Sequence, residues 1–364
     1  MSSQHLVTEQ LVPSGSQGGR FARSTVSDYW ALTKPEVNFL ILITTGVGFY
    51  LGCANEARPL PFGGLLNTLL GTLLVASGTG TLNQYLERKF DAQMRRTMRR
   101  PAAAGRLKPA AVLAFGIALA GAGSVYLAAA VNPRATVLAA LTMLAYLFAY
   151  TPLKRKTPLC VLVGAFPGAM PPLIGWAGTS SRLSIEAGIL YAIVFLWQFP
   201  HFMAIAWMYR EDYDRAGYLV LPKGNARIPF VTLETLFPLL ALVAISMVQF
   251  PTRHAAVFYC AGALLSLGFL YFGLQFVLWR SRATARRLLA ASIVYLPLLF
   301  ALSATLCNQP GADPISPWWH GGNKFFGPTQ NVLAPASRVV GVLNQLLNTN
   351  NRRSTSGKSL CPSQ

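Results

Sequence analysis

The chain has 364 residues, of which 53% are hydrophobic and only 12% charged, and it carries a formal charge of +19. Apolar runs of about twenty residues, the length needed to cross a bilayer, recur along it and exclude a soluble enzyme. The charge could mean a nucleic-acid or acidic-lipid partner, so its distribution has to be read first.

Residues 1–24 are rich in Ser and Gly and lack an apolar core ahead of a cleavage site, so they do not read as a secretory signal. Arg20 and Arg23, with a single Glu, keep a mitochondrial transit peptide as the alternative. Candidate spans follow near residues 36–54, 62–82, 110–131, 134–151, 158–178, 184–208, 229–250, 255–278 and 288–307. Short connections and no long linker favour one all-α bundle of nine transmembrane helices. Pro167, Pro171 and Pro172 predict a kink in the fifth span, because neighbouring helices can satisfy the freed backbone groups. The expected organisation is a mobile tail over 1–29, a membrane domain over 30–307, and a disordered tail over 308–364, whose Asn, Ser, Gly and Pro give little apolar periodicity.

Lys and Arg crowd the amino-terminal segment and the second, fourth, sixth and eighth connections, whereas the opposite loops hold only Arg58, Arg134, Arg182 and Arg253. The positive-inside rule therefore puts the amino terminus in the cytoplasm and, after nine spans, the carboxy-terminal tail outside. Much of the charge is topology, which argues against nucleic acid as a partner. The five cysteines, Cys53, Cys160, Cys260, Cys307 and Cys361, show no Cys-x-x-Cys pairing and read as packing residues.

The acidic residues are informative because they are few. Five of the twelve, Glu87, Asp91, Glu211, Asp212 and Asp214, fall in two connections on the predicted cytoplasmic side. On a helix Asn83, Glu87 and Asp91 recur at i, i+4 and i+8, so three oxygen-bearing groups line one face. Magnesium takes oxygen ligands and bridges one or two carboxylates to substrate phosphates. The second cluster, in "YREDYDRAG", supplies a facing wall, and the arginines after Asp91 could grip phosphate oxygens through charge-assisted forks. The competing reading pairs Glu87 and Asp91 with Arg95 and its neighbours on a solvated helix end.

The order Asn83, Glu87, Asp91, Met94, Arg96, Thr97, Arg100, Pro101 resembles the signature N-x-x-x-D/E-x-x-x-D-x-x-M-x-R-T-x-x-R-P of the intramembrane (UbiA-type) prenyltransferase superfamily, in its protoheme IX farnesyltransferase branch. "LTKPEVNFLILITTG", "YTPLKRKTP", "GAMPPLIGWAG" and "WQFPHFMAIAWMYREDYDRAGYLVLP" extend the resemblance over about residues 30–305. It implies carboxylate motifs meeting at the cytoplasmic face, where Mg²⁺ bridges them to farnesyl diphosphate. The implied reaction releases diphosphate, and a vinyl group of protoheme IX captures the allylic cation before water adds. Haem is then a substrate and not a permanent cofactor.

The residues implied for catalysis are Asn83, Glu87, Asp91, Lys154 and Asp212; for substrate binding Arg96, Arg100, Arg155, Tyr150 and His201; and for metal Glu87, Asp91, Glu211, Asp212 and Asp214. Glu87 stands where many members of the superfamily have Asp, and the triplet Glu211, Asp212, Asp214 leaves open which carboxylates of the second cluster touch metal. His201, inside the sixth span, reads either as a substrate-pocket residue or as a packing histidine. The expected location is a bacterial inner membrane, with the mitochondrial inner membrane as alternative. The expected partners are membrane lipid and a downstream haem-modifying enzyme or oxidase assembly factors. A prenyltransferase for a quinone precursor or chlorin would share the diphosphate site. A transporter or haem chaperone should place its ionisable groups near the midplane and not at span ends.

Overall fold

The computed structural model describes residues 25–180, 182–246 and 255–306. The expectations for residues 1–24 and 308–364, and for Arg253, Cys307 and Cys361, fall outside these residues. The helices in chain order are α1 (Thr25–Leu32), α2 (Pro35–Asn55), α3 (Phe62–Asp91), α4 (Pro109–Ala130), α5 (Pro133–Leu144), α6 (Thr151–Leu153), α7 (Cys160–Gly168), α8 (Pro171–Thr179), α9 (Ile185–Met208), α10 (Arg210–Arg215), α11 (Arg227–Ile245), α12 (Ala255–Trp279) and α13 (Arg282–Leu306). Among the described residues nine segments are long and apolar enough to cross a membrane, α5–α6 and α7–α8 each counting as one. The chain is a multi-pass membrane protein.

Three departures from the predicted boundaries bear on the site. Helix α1 begins at Thr25, inside the segment expected to be a mobile tail. Helix α3 has 30 residues and continues past the predicted end at 82 to Asp91. At 1.5 Å per residue it is about 45 Å long, well beyond a hydrocarbon layer of about 30 Å. Its last turns therefore leave the apolar layer, carrying Asn83, Glu87 and Asp91. Between α5 and α6 the chain widens into a π-helical turn over Ala145–Tyr150. Pro152 supplies no N–H to the preceding turn, and Thr151 closes that turn, its backbone N–H and its hydroxyl both donating to the Tyr146 carbonyl, the hydroxyl at 2.8 Å.

The expected kink in the fifth span is a break at Ala169–Met170, with α8 starting on Pro171 and Pro172. Helix α8 then packs on α2 with almost no side chain between them. A Cβ on Gly48 would collide with the Pro172 carbonyl, and one on Gly175 with the Thr45 carbonyl. Such contact replaces the missing hydrophobic drive between helices in lipid. Cys53 and Cys160 are buried and do pack, whereas Cys260 faces outward.

Candidate active site

The polar residues of α3 point inward. Asn83, Gln84, Glu87 and Asp91 are buried, while Leu86 beside them is 42% exposed. This reverses the pattern of a soluble helix: the polar face is turned into the bundle. Gln84 Nε2 reaches the carbonyls of Ala31 and Leu32 at 3.2 and 3.1 Å, tying the α1–α2 corner to α3. Asn38 fastens the same corner, donating to the Thr33 carbonyl and to Ser77 Oγ.

That clamp holds Lys34 in a left-handed conformation, φ 54° and ψ 62°, which costs a non-glycine residue about 1–3 kcal/mol. Its ammonium donates to Asn83 Oδ1 at 2.8 Å, and Asn83 Nδ2 donates to Thr151 Oγ1 at 3.2 Å. One helical turn on, Lys154 Nζ donates to Glu87 Oε1 at 2.8 Å while sitting 4.5 Å from the Tyr150 ring centroid. A further turn on, Arg100 donates to Asp91 Oδ2, also at 2.8 Å. Three successive rungs of α3 therefore each meet a cation delivered by a different segment.

The two lysines respond to burial in opposite ways. Burial pushes Lys34 down to about 7, and the Arg100 guanidinium adds to it; Glu87 and Asp91 oppose without prevailing. Burial also acts on Lys154, but Tyr150, Glu87 and Tyr146 outweigh it and hold its ammonium well above the usual lysine range. The difference is that Lys154 forms an ion pair, whereas Lys34 meets only a neutral amide.

The second acidic cluster joins through Asp212. Its Oδ2 accepts from the Arg96 backbone N–H at 3.4 Å and its Oδ1 from Arg215 at 3.2 Å. The Arg96 side chain reaches the Tyr213 hydroxyl at 3.3 Å and lies 5.2 Å from the Tyr209 ring centroid. Beside Asp212 opens a cleft of about 330 Å³, lined by Arg95, Arg96, Met208, Tyr209, Glu211 and Arg282 among others.

Not all of the expected residues converge. Glu211 and Asp214 have side chains 60% and 44% exposed and pair outward, Glu211 with Arg282 at 3.1 Å and Asp214 with Arg227 at 3.4 Å. Arg155 lies over the Phe90 ring at 4.3 Å. His201 stays inside the bundle, its Nδ1 2.8 Å from Ser292 Oγ of α13 and its ring stacked on Trp197. Lys34 and Thr151 were not among the residues expected from sequence. The "TKPE" stretch carries a signal for Lys34, since the proline after it restricts its backbone, but in the sequence the lysine is one more charge of the basic amino-terminal segment.

Among the described residues no three Asp, Glu, His or Cys side chains form a ready-made metal cage. The donor chemistry nevertheless suits a hard cation that draws its remaining ligands from substrate and water. Glu87, Asp91 and Asp212 are buried all-oxygen donors, and the ion pairs to Lys154 and Arg100 engage Glu87 Oε1 and Asp91 Oδ2, one of the two oxygens each carboxylate offers.

With the geometry in hand, the chain can be set beside known proteins. Residues 41–302 match the model of the UbiA prenyltransferase family. A protein named protoheme IX farnesyltransferase from Solibacter usitatus is 44% identical over 291 residues, covering 78% of this chain and 99% of that one. The mitochondrial protoheme IX farnesyltransferase of Arabidopsis thaliana is 34% identical over 312 residues, 84% of this chain and 70% of the relative. In three dimensions the fold is similar to digeranylgeranylglyceryl phosphate synthase, with TM-score 0.60 and 15% identity over 78% of this chain and 98% of that one. It is also similar to a UbiA homologue from Archaeoglobus fulgidus bound to GPP and Mg²⁺, with TM-score 0.54 and 12% identity over 76% of this chain and 99% of that one. The chain belongs to the UbiA prenyltransferase family.

Proposed function

We propose that the protein transfers the farnesyl group of farnesyl diphosphate to a vinyl group of protoheme IX, with addition of water, giving heme O and diphosphate. One observation carries the reading: the buried rungs Asn83–Lys34, Glu87–Lys154 and Asp91–Arg100 stand at one bundle end in a chain 44% identical to a protoheme IX farnesyltransferase. Glu87, Asp91 and Asp212 would hold magnesium, which supplies neutralisation of the charge that builds on the departing diphosphate.

The chain's own residues do the remaining work. Lys34, Lys154, Arg96 and Arg100 offer donors to the diphosphate as the carbon–oxygen bond breaks and its electron pair goes to oxygen. The vinyl π electrons then bond the allylic carbon, and water captures the resulting cation and loses a proton. Aromatic side chains such as Trp197 and Phe202 flank His201 and give the apolar substrates a lining that keeps water scarce before capture. Asn83 orients Lys34, and Tyr150 faces the Lys154 ammonium. The basic connections support a cytoplasmic position for this end of the bundle, the membrane on this reading being a bacterial inner membrane, and the product would pass to a haem-modifying enzyme.

The test is conversion in purified membranes of protoheme plus farnesyl diphosphate, with and without Mg²⁺, followed by mass analysis of the haem. A magnesium-dependent gain of farnesyl plus water supports the assignment. Unchanged haem, with prenyl transfer to aromatic acids, would move the acceptor to a quinone precursor.

The depressed Lys34 gives a separate expected result. Between about pH 7 and the ordinary lysine value the unfolded chain holds a proton that the folded one has released, so Lys34 makes stability rise with pH in that window. An anion bound beside it reverses the shift. Pyrophosphate binding at pH 8 should therefore take up protons, seen as calorimetric heats that depend on the ionisation enthalpy of the buffer. Lys34→Met should remove that uptake, and identical buffer dependence in both proteins would refute the assignment of the proton to Lys34.

A further inference from the structure

Helix α10 ends in a left-handed glycine cap: Gly217, at φ 69°, donates to the Asp214 carbonyl at 3.3 Å, and Tyr218 N–H donates to the Tyr213 carbonyl at 2.9 Å. The cap turns the chain back over the end of α6, where Leu219 N–H bonds the Lys154 carbonyl at 2.6 Å. Tyr218 is thereby carried inward. Its ring is 3% exposed, with Phe90 and Tyr213 at centroid distances of 5.9 and 6.1 Å and the Lys154 ammonium 6.0 Å from its centroid.

The hydroxyl at the end of this ring is buried and has no partner within good hydrogen-bond geometry; Glu87 is the acceptor it approaches, and the two do not close a regular bond. Leaving a buried donor unsatisfied is costly, and folded proteins seldom tolerate it without a reason. The charges that act on it are those of the first acidic cluster, Glu87, Lys154 and Asp91, and burial together with Glu87 keeps the phenol well above its ordinary range. It therefore remains a neutral donor at any physiological pH.

We infer that Tyr218 is a further catalytic residue, its hydroxyl donating a hydrogen bond to an oxygen of the diphosphate leaving group. The inference rests on the prenyl-transfer reading of the site. No proton changes hands: the carbon–oxygen bond breaks, its electron pair goes to the diphosphate oxygen, and the tyrosine keeps its hydrogen while the bond it donates shortens. A neutral donor here complements the fixed charges of Lys154 and Arg100, because it adds a hydrogen bond without adding charge beside a metal.

The test is Tyr218→Phe, which keeps the ring and its packing. Turnover should fall by about 100- to 1,000-fold, the loss expected for one donor to a developing anion. Because the hydroxyl closes no regular bond in the absence of ligand, the melting temperature of the detergent-solubilised variant should match or exceed that of the wild type. The upward shift produced by pyrophosphate with Mg²⁺ should be smaller in the variant. A variant that melts lower without ligand assigns the hydroxyl a structural role and overturns the inference, as does an unchanged pyrophosphate shift. Wild-type protein that fails to respond to pyrophosphate or to turn over would instead retract the prenyl-transfer reading itself.

Discussion

Glu87→Gln and Asp91→Asn are each expected to lower turnover by at least about three orders of magnitude, with the protein still inserted and folded. A drop of that size corresponds to about 4 kcal/mol of transition-state stabilisation. Each carboxylate is asked both to hold a divalent cation and to orient a basic side chain against the leaving group, so its loss removes two contributions at once. Both replacements preserve side-chain shape and keep an amide oxygen that can accept from the facing cation; Arg100 is partly open to water and can be resolvated, whereas Lys154 is enclosed, so Glu87→Gln should also lower the melting temperature without unfolding the protein. Heme product per unit of protein, measured beside a size-exclusion profile of the solubilised variant, reports the two effects separately. Full activity in both variants would refute the assignment of this helix face to metal.

Lys154→Met should do a different kind of damage. Its partner Glu87 has a side chain only 7% exposed, so the variant leaves a carboxylate buried beside a thioether. Breaking a buried pair from one side costs about 3–5 kcal/mol, far more than an exposed pair contributes. The melting temperature should drop sharply and activity should vanish. Combining Lys154→Met with Glu87→Gln removes the stranded charge, so stability should recover in large part while activity stays absent. A double variant that stays destabilised would mean that Lys154 acts through its contact with the Tyr150 ring.

How much of this was legible in the sequence depended on the range of each contact. The nine spans and the face shared by Asn83, Glu87 and Asp91 follow from local periodicity, and the structure supplies both. The division of labour in Glu211, Asp212 and Asp214 does not follow from composition, yet it has a simple geometric cause. Positions i and i+3 share a helix face, so Glu211 and Asp214 point together toward solvent. Asp212 falls on the other side with Ala216, one turn later, and is buried like it. Lys34 could not be found this way, because it meets Asn83 across 49 residues of chain and only after Asn38 and Gln84 have fixed its backbone. The π turn was hidden for a related reason: a proline signals a disturbed helix, but whether the turn before it widens depends on the folded chain.

The carboxylates that face the proposed reaction each have a cationic partner from the chain: Lys154 on Glu87, Arg100 on Asp91 and Arg215 on Asp212. Each of these carboxylates is thus charge-paired at rest, and an entering ligand would have to share it with the chain's own cations. A cation arriving alone would have to compete with guanidinium and ammonium groups for the acids, and a diphosphate arriving alone would have to compete with the acids for those groups. A metal and diphosphate entering together satisfy both halves of every broken pair. On the proposed reading the site would favour metal and diphosphate together over either alone, a form of mutual admission in which each ligand opens the other's place.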